Sequence, residues 1–165
     1  MKYYIGADLG TSALKILLTD KCGNIIKSVT NSYNVTYPAP GWSEQHPDLW
    51  WGAFEKGIKE ITKDIDGGSI EGICVAGQMH GLVILDSDDN ILRPAILWND
   101  GRTDKETEYL NTVVGKDKLS EYTANIAFAG FTAPKILWVK NNEPEIFDKI
   151  SIIILNNFLK NYNQI

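Results

Sequence analysis

The stretch that decides the fold is Ile5-Gly6-Ala7-Asp8-Leu9-Gly10-Thr11-Ser12-Ala13-Leu14-Lys15-Ile16-Leu17-Leu18-Thr19-Asp20. Two apolar runs, residues 3–7 and 14–18, flank a Gly-Thr-Ser turn. Short apolar runs on both sides of a turn are typical of two adjacent antiparallel strands. The sequence therefore predicts a hairpin, and we expect the chemistry of the protein to lie at its turn.

The turn carries side chains suited to a nucleotide and its metal ion. Asp8 ends the first strand, and a carboxylate on a buried strand requires a partner such as hydrated Mg²⁺. Gly10 lets the backbone approach a ligand, while Thr11 and Ser12 add hydroxyls to amides that can cradle phosphate oxygens. Lys15 would place a positive charge over those oxygens. A polar hairpin in which Asp8 only caps its own turn explains the same residues, and on this stretch alone both interpretations stay open.

Composition narrows the class of protein. The 165 residues, 44% of them apolar and five of them Trp, are enough for one domain with a core. A net charge of −5 without a run of Lys or Arg argues against nucleic acid and anionic membranes as partners. Cys22 and Cys74 lack the spacing of a zinc site or a disulfide framework, so we expect free thiols. No signal peptide or membrane span is evident, and we expect a cytoplasmic protein.

The hairpin is predicted to continue into a mixed sheet. Residues 25–35 form a third antiparallel strand, and the three prolines of residues 37–47 predict an irregular loop. Asp48 is expected to cap a helix from Leu49 that ends near residue 64. Residues 70–77 are nearly all apolar, a pattern typical of a parallel strand buried on both faces. The predicted class is therefore α/β, with a sheet that opens with three antiparallel strands and is flanked by helices.

A second candidate site follows that parallel strand. Gln78, Met79 and His80 lie at its carboxyl end, where open α/β sheets commonly bind ligands. A single His in such a place is more often structural than a ligand, and Met79 would serve equally well as core filling. Gly77 and Gly81 favour the ligand role for His80, because they let backbone and ligand approach closely.

The second half of the chain predicts short elements separated by turns. The pattern indicates a small hairpin over 82–92, helices from Thr103, over 117–122, from Thr132 and from Asn142, and a buried strand over 150–155. Asn99, Asp100 and Arg102 fall in a polar loop after an apolar segment. The four tryptophans Trp42, Trp50, Trp51 and Trp138 are interpreted as packing residues without a chemical role.

Five motifs, in order along residues 3–150, resemble the N-terminal part of the FGGY carbohydrate kinases: Ile5 to Ser12, Trp42 to Gln45, Gly77 to Gly81, Arg93 to Arg102 and Gly130 to Lys135. The resemblance implies a ribonuclease H-like fold of the actin type, in which two domains close on ATP and sugar. It also implies transfer of the ATP γ-phosphate, with Mg²⁺, to a ketopentose, D-xylulose first among them.

The resemblance assigns roles residue by residue. Asp8 matches the family's aspartate near metal and phosphate, and Gly10, Thr11 and Ser12 match its phosphate loop. Met79 and His80, with Gln78 beside them, match residues that contact the sugar. Asn99, Asp100 and Arg102 match a loop at the rim of the sugar site.

The chain also departs from the family pattern. The family's catalytic base is an Asp in a Gly-rich stretch further along, and this sequence has no Gly-Asp dipeptide. We expect residues 1–155 to form the N-terminal part of the first kinase domain. The Asn-rich residues 156–165 depart from the family pattern, as a prematurely terminated reading frame or an artificial chain end would. Such a chain is expected to be inactive alone. Its charge-free residues 152–155 either pair with a second copy of the chain or are an aggregation hazard, and we favour a homodimer.

Two other functions stay open at this point. The first is a non-catalytic domain that binds sugar or nucleotide. The second is part of another actin-like ATPase, which would share residues 8–11 but would not explain residues 78–81.

Overall fold

The computed structural model describes residues 1–154. Its strands are β1 Tyr3–Leu9, β2 Ala13–Asp20, β3 Ile25–Ser32, β4 Glu44–Gln45, β5 Ile70–Gly77, β6 Val83–Leu85, β7 Ala95–Ile96 and β8 Ile152–Ile154. Its α-helices are α1 Pro47–Ile61, α2 Asp104–Tyr109, α3 Lys116–Thr123, α4 Thr132–Asn142 and α5 Pro144–Phe147. Residues 155–165 lie outside the described residues, so the boundary expected at residue 155 stays a prediction.

The chain divides into two compact units, and the first contains Met1–Val35 and Pro47–Gln78. Its sheet has the strand order β3-β2-β1-β5. Strand β2 pairs antiparallel with both β1 and β3, and β5 pairs parallel with β1. The opening of three antiparallel strands and the parallel fourth strand are both as predicted, although β3 ends three residues earlier than expected.

One face of this sheet is buried beneath α1. Ile5, Ala7 and Leu9 of β1 are buried, whereas Asp8 between them is exposed, as the two-residue period of a strand requires. The helix buries residues spaced three and four apart, namely Trp50, Ala53, Phe54, Gly57 and Ile61. A Cβ on Gly57 would lie 2.6 Å from Cδ1 of Ile16 in β2. Glycine is therefore what lets the helix lie this close to the sheet.

Two predictions about this unit are wrong in detail. Strand β5 is not buried on both faces: most of its residues are exposed, and the side chain of Ile73 is 41% exposed. The reason is position, since within residues 1–154 β5 pairs only with β1 and ends the sheet. Asp48 is not the helix cap either, because α1 already begins at Pro47. Proline suits the first helical position, where no N–H is needed, and Asp48 then favours the positive end of the helix dipole.

The second unit contains Thr36–His46 and the described residues from Met79 onward. It has two short antiparallel ribbons, β4 with β7 and β6 with β8. Its core is a cluster of Leu82, Ile84, Ile96, Trp138 and Val139. Helix α4 brings Trp138 and Val139 to this cluster.

Several expectations for the second unit need correction. The loop predicted over 37–47 contains strand β4, because Glu44 and Gln45 pair with β7. The hairpin predicted over 82–92 is present but short: Leu85 bridges Ile91, and the Leu92 amide donates to the Ile84 carbonyl at 3.1 Å. What the sequence did not predict is that β6 also pairs with β8. Strand β8 is not buried, because Ile152 and Ile153 are 40% and 41% exposed.

The helices lie close to the predicted positions. Thr103 precedes α2, but its hydroxyl donates to the Ala129 carbonyl 2.8 Å away and makes no capping bond. Helices α3, α4 and α5 begin within about two residues of the expected starts. Cys22 and Cys74 are exposed free thiols. Within residues 1–154, none of the helices combines the length and the apolar character that crossing a bilayer would take.

The two glycines of α1 test the close approach of this helix to the sheet. Gly57→Val should lower the free energy of unfolding by about 1–3 kcal/mol, because the added atoms overpack Ile16. Gly52→Ala is the matched control: a Cβ there meets nothing within 4 Å, so the change should raise stability by about 0.5–1 kcal/mol. Urea denaturation of the three proteins measures both, and an unchanged stability in Gly57→Val would contradict the packing described.

Candidate functional site

The turn between β1 and β2 is closed by the backbone. The Gly10 amide donates to the Ala13 carbonyl at 3.0 Å. A Cβ on Gly10 would lie 3.0 Å from that same carbonyl oxygen. A larger residue would therefore disturb the turn, which explains glycine at this position.

Tyr33, which sequence reasoning missed, holds the turn from behind. Its hydroxyl donates to the Gly10 carbonyl at 2.6 Å, and its amide donates to the Ser12 carbonyl at 3.0 Å. One residue thus binds two carbonyl oxygens of the turn, whose partial negative charge would repel a phosphate. Burial, and then the negative charge of Asp8, raise the pKa of the Tyr33 hydroxyl, so it stays protonated as a donor.

Gln78, predicted as a sugar ligand, lies next to this turn. The Thr11 hydroxyl donates to Oε1 of Gln78 at 3.3 Å. The backbone amide of Gln78 donates to the Leu9 carbonyl at 3.1 Å. These bonds join the β1–β2 turn to the carboxyl end of β5.

Asp8 and Lys15 lie opposite each other across the hairpin. Directly opposed residues of an antiparallel pair project to the same side of the sheet, and both are exposed here. The premise that Asp8 needs a partner because it is buried is therefore wrong. What the structure offers instead is a carboxylate and an ammonium on one open face of the hairpin.

The residues present fit a metal ion that is held mainly by phosphates. No cluster of three or more His, Cys, Asp and Glu side chains suited to a metal occurs among residues 1–154. Mg²⁺ in nucleotide sites commonly uses one or two carboxylates and completes its shell with phosphate oxygens and water. A single exposed carboxylate beside a turn of amides and hydroxyls matches that donor set.

In the second unit, His80 has an unusual backbone and a stacked ring. Its φ is +65°, a left-handed conformation that few side chains adopt. Its imidazole stacks on Phe131, with ring centroids 4.3 Å apart and planes 12° apart. Phe131 in turn contacts Phe128 at 5.1 Å. Met79 is 67% exposed and so does not fill core space.

The predicted rim residues Asn99, Asp100 and Arg102 lie in two different environments. Asn99 is exposed and borders a cavity of about 580 Å³ whose other lining residues are 37–43. Asp100 is buried, and its carboxylate accepts from the amides of Ser43 and Arg102 and from Nε and Nη2 of Arg102. The structure thus brings Asn99 alone of the three to an open surface.

Asp100 and Arg102 belong to a buried ion cluster. The side chain of Arg102 is fully buried and also contacts Glu44 at 2.7 Å, and Arg93 donates to the same Glu44 oxygen at 2.5 Å. The Arg102 guanidinium lies 3.8 Å from the centre of the Trp42 ring. That contact agrees with the interpretation of Trp42 as a packing residue.

Glu44 and Arg93 were not singled out by sequence reasoning, although both stand inside motifs that carry the family resemblance. Burial lowers the pKa of Arg93, and the charges of Glu143 and Glu44 oppose that shift. No local pattern pairs two residues separated by 49 positions. The signal that could have identified them is their place in the sequence: each charged residue lies next to an apolar segment, where burial would require a partner of opposite charge.

Comparison with known proteins places these features in a family. Residues 3–162 match the model of the FGGY family of carbohydrate kinases, N-terminal domain. A xylulose kinase of Staphylococcus xylosus is 43% identical over 150 residues, which are 91% of this chain and 31% of that protein. The chain thus spans about a third of the length of the curated relatives it matches.

Solved structures give the same result for the fold. A xyloylose kinase from Brucella ovis aligns with a TM-score of 0.86 at 41% identity, over 93% of this chain and 32% of that one. A gluconate kinase from Lactobacillus acidophilus also aligns with a TM-score of 0.86, at 31% identity over 93% of this chain and 31% of that one. These neighbours are sugar kinases of the actin-like ATPase fold, so the predicted fold is confirmed.

Removing the Tyr33 hydroxyl tests its hold on the turn. Tyr33→Phe should cost about 1 kcal/mol of unfolding free energy, the usual size for one hydrogen bond, and should shift the amide signals of Gly10, Thr11 and Ser12 in NMR spectra. Tyr122→Phe, an exposed hydroxyl, is the control and should change neither. Unmoved amide signals in Tyr33→Phe would remove Tyr33 from the turn.

The native protein and Tyr33→Phe should also differ in how their stability depends on pH above neutrality. The folded protein holds the Tyr33 proton more tightly than the unfolded chain, whose pKa is near the ordinary 10.0. The stability that the folded protein gains from the protonated Tyr33 hydroxyl is fully present below pH 10. It is lost as the pH rises towards the higher pKa of the folded state. The native protein should therefore lose stability faster than Tyr33→Phe above pH 10. Parallel stability curves through that range would contradict the assigned shift.

Arg102→Met tests the buried ion cluster. The change leaves the carboxylates of Asp100 and Glu44 buried without this cation, so the free energy of unfolding should fall by about 3–5 kcal/mol. Lys105→Met, an exposed charge on α2, is the control and should cost little. A loss below about 1 kcal/mol for Arg102→Met would show that the guanidinium is not needed for the fold.

Proposed function

The chain belongs to the FGGY family of carbohydrate kinases, and we propose that it serves ATP-dependent phosphorylation of a ketopentose, D-xylulose. The observation that carries this proposal is the β1–β2 hairpin, whose closed turn at Gly10 lies between Asp8 and Lys15 on one exposed face. A turn of amides and hydroxyls with one carboxylate and one ammonium beside it has the chemistry needed to bind a metal-bound triphosphate.

The hairpin would bind the nucleotide phosphates. Asp8 would hold the Mg²⁺ of Mg·ATP, and Thr11 and Ser12 would donate to phosphate oxygens. The Thr11 hydroxyl would turn from Oε1 of Gln78 to do so. Lys15 would offset the negative charge of those oxygens. ATP supplies the phosphoryl group that is transferred. In phosphoryl transfer most of the work of the protein is positioning and electrostatic stabilisation, which is what rigid amides and fixed charges provide.

Gln78, Met79 and His80 would contact the sugar. His80 and Gln78 offer directional hydrogen bonds to hydroxyls, and the exposed thioether of Met79 offers an apolar wall. D-xylulose is the proposed substrate because the relatives named above include xylulose kinases. The gluconate kinase among the structural neighbours has the same fold, so side chains such as these, not the fold, would select the sugar.

The rim residues Asn99, Asp100 and Arg102 would have two different roles. Asn99, next to the open cavity, would reach the ligand directly. Asp100 and Arg102 would act from behind it, because their charges are already satisfied by each other, by Glu44 and by the Ser43 amide. In this proposal the buried ion cluster keeps the loop in a shape that presents Asn99.

Residues 1–165 on their own are proposed to be inactive. Orienting two bound reactants supplies about 7–11 kcal/mol of barrier reduction, and the chain spans about a third of its curated relatives. We also propose that the protein is cytoplasmic. We propose in addition that two copies of the chain form a homodimer through β8, whose isoleucines are partly exposed. Light scattering at high concentration tests the homodimer, and a monodisperse monomer would refute it.

Calorimetric titration of Mg·ATP tests the nucleotide site. The native chain should bind, and Asp8→Asn should bind about tenfold more weakly or worse, since a charge-assisted contact to the metal is lost. Asp64→Asn, an exposed carboxylate in the same unit, should bind like the native chain. Equal affinities in all three proteins would remove Asp8 from the site.

The same samples test the reaction. An ADP-release assay with D-xylulose should read background for residues 1–165. Sugar-dependent turnover that Asp8→Asn abolishes would show that the proposed inactivity is wrong while the kinase assignment is right. Binding of nucleotide or sugar without turnover, even after the remainder of a relative's chain is added in trans, would favour a non-catalytic binding domain.

A further inference from the structure

Lys135 is a buried cation that the proposed reaction does not use. It lies on α4, and its relative exposure is 0%. Its neighbours along the buried face of the helix are Thr132, Trp138 and Val139. An ammonium buried in this way is costly unless strong acceptors surround it. The acceptors around the Lys135 ammonium should therefore show what the residue does.

The Lys135 ammonium is bonded to two backbone segments that are far apart in the chain. Nζ donates to the carbonyl of His80 at 2.7 Å and to the carbonyl of Gly130 at 2.7 Å. Hydrogen bonds from an ammonium are charge-assisted and stronger than those between neutral groups. Burial lowers the pKa of Lys135 to about 8, with Asp100 opposing and Arg102 adding to the shift. Near neutral pH the group is therefore still mostly protonated.

The two carbonyls belong to the peptides that carry the stacked rings. The His80 carbonyl belongs to a residue whose φ is +65°, a conformation that surrounding contacts must maintain. The Gly130 carbonyl belongs to the peptide that leads into Phe131, whose ring lies 4.3 Å from the imidazole. Lys135 thus connects the backbones of both partners of the stack.

Gly130 itself is fixed on its other side. A Cβ at this position would lie 2.5 Å from the Trp98 carbonyl oxygen. Real Cβ atoms do not approach a backbone oxygen so closely, so the segment can pack here only with glycine. The carbonyl that Lys135 binds therefore belongs to a segment that packs closely against the Trp98 carbonyl.

We infer that Lys135 is the positioning residue of the sugar site, because its ammonium bridges the His80 and Gly130 carbonyls and so fixes the imidazole against Phe131. With one face of the ring covered, the nitrogens at the ring edge are left to meet a sugar hydroxyl. The hydrogen-bonding direction of His80 is then set by the backbone rather than by the ligand. The inference rests on the proposed function in one respect, namely that the ligand of His80 is a sugar.

Lys135→Met in the 165-residue chain tests the inference. The change keeps most of the side-chain volume and removes the donors, so the His80 ring should leave its position over Phe131. Its ring protons should then lose the upfield NMR displacement that stacking on an aromatic face causes. D-xylulose should bind about fivefold more weakly, the size expected for one misplaced hydrogen bond. Lys140→Met, an exposed charge on the same helix, is the matched control and should change neither.

A second measurement keeps the test decisive if Lys135→Met does not fold. In the native chain the Lys135 ammonium should give a slowly exchanging ¹⁵N signal with scalar coupling across the hydrogen bonds to the His80 and Gly130 carbonyl carbons. A rapidly exchanging signal without that coupling would overturn the inference. So would a folded Lys135→Met protein with unchanged His80 ring shifts.

Failure of the proposed function gives a different result. If D-xylulose does not bind the native chain while Lys135→Met still displaces the His80 ring, the positioning of His80 stands and the sugar assignment falls. If D-xylulose binds both proteins within twofold and the ring is displaced, His80 does not face the sugar and the inference about the sugar site is overturned.

Discussion

The register of β1 against β2 is the constraint on which the first unit depends. Ile5, Ala7 and Leu9 face the buried side, and so do Leu14, Ile16 and Leu18. A shift of one strand by one residue against the other would turn the apolar side chains of that strand to the solvent. The same shift would bury the charge that the shifted strand carries, Asp8 on β1 or Lys15 on β2. The free energy of burying the apolar face is therefore also what places both charges on the open face. The site is in this sense a consequence of the packing.

The residues proposed to bind ligands share one feature: a buried or partly buried polar residue supports the backbone of each. Tyr33 binds the Gly10 and Ser12 carbonyls of the β1–β2 turn. Lys135 binds the carbonyl of His80. Asp100 and Arg102 support the loop of Asn99 with bonds that leave both charges satisfied. Buried polar groups are costly when unpaired, so each support is selective for one backbone arrangement.

The sequence was sufficient to predict the local elements, and it failed where a long-range contact decides the outcome. The hairpin follows from two apolar runs around a turn, and the parallel β5 from an apolar run after a helix. An apolar run does not reveal whether its strand is central or at an edge, so the exposure of Ile73 was missed. The supporting roles of Tyr33 and Lys135 were missed because their hydrogen-bond partners lie far away in the sequence. Tyr33 is 23 residues from Gly10, and Lys135 is 55 residues from His80.

Paramagnetic broadening by Mn²⁺ tests the central claim most directly, because it locates the metal of a bound nucleotide without a mutation. With Mn²⁺ in place of Mg²⁺ on ATP, the amide signals of residues 8–12 in the ¹⁵N-labelled chain should broaden first and most strongly. Signals of buried residues of α1, such as Phe54, should broaden less. Broadening centred elsewhere, with residues 8–12 unaffected, would contradict the assignment of this turn as the phosphate site.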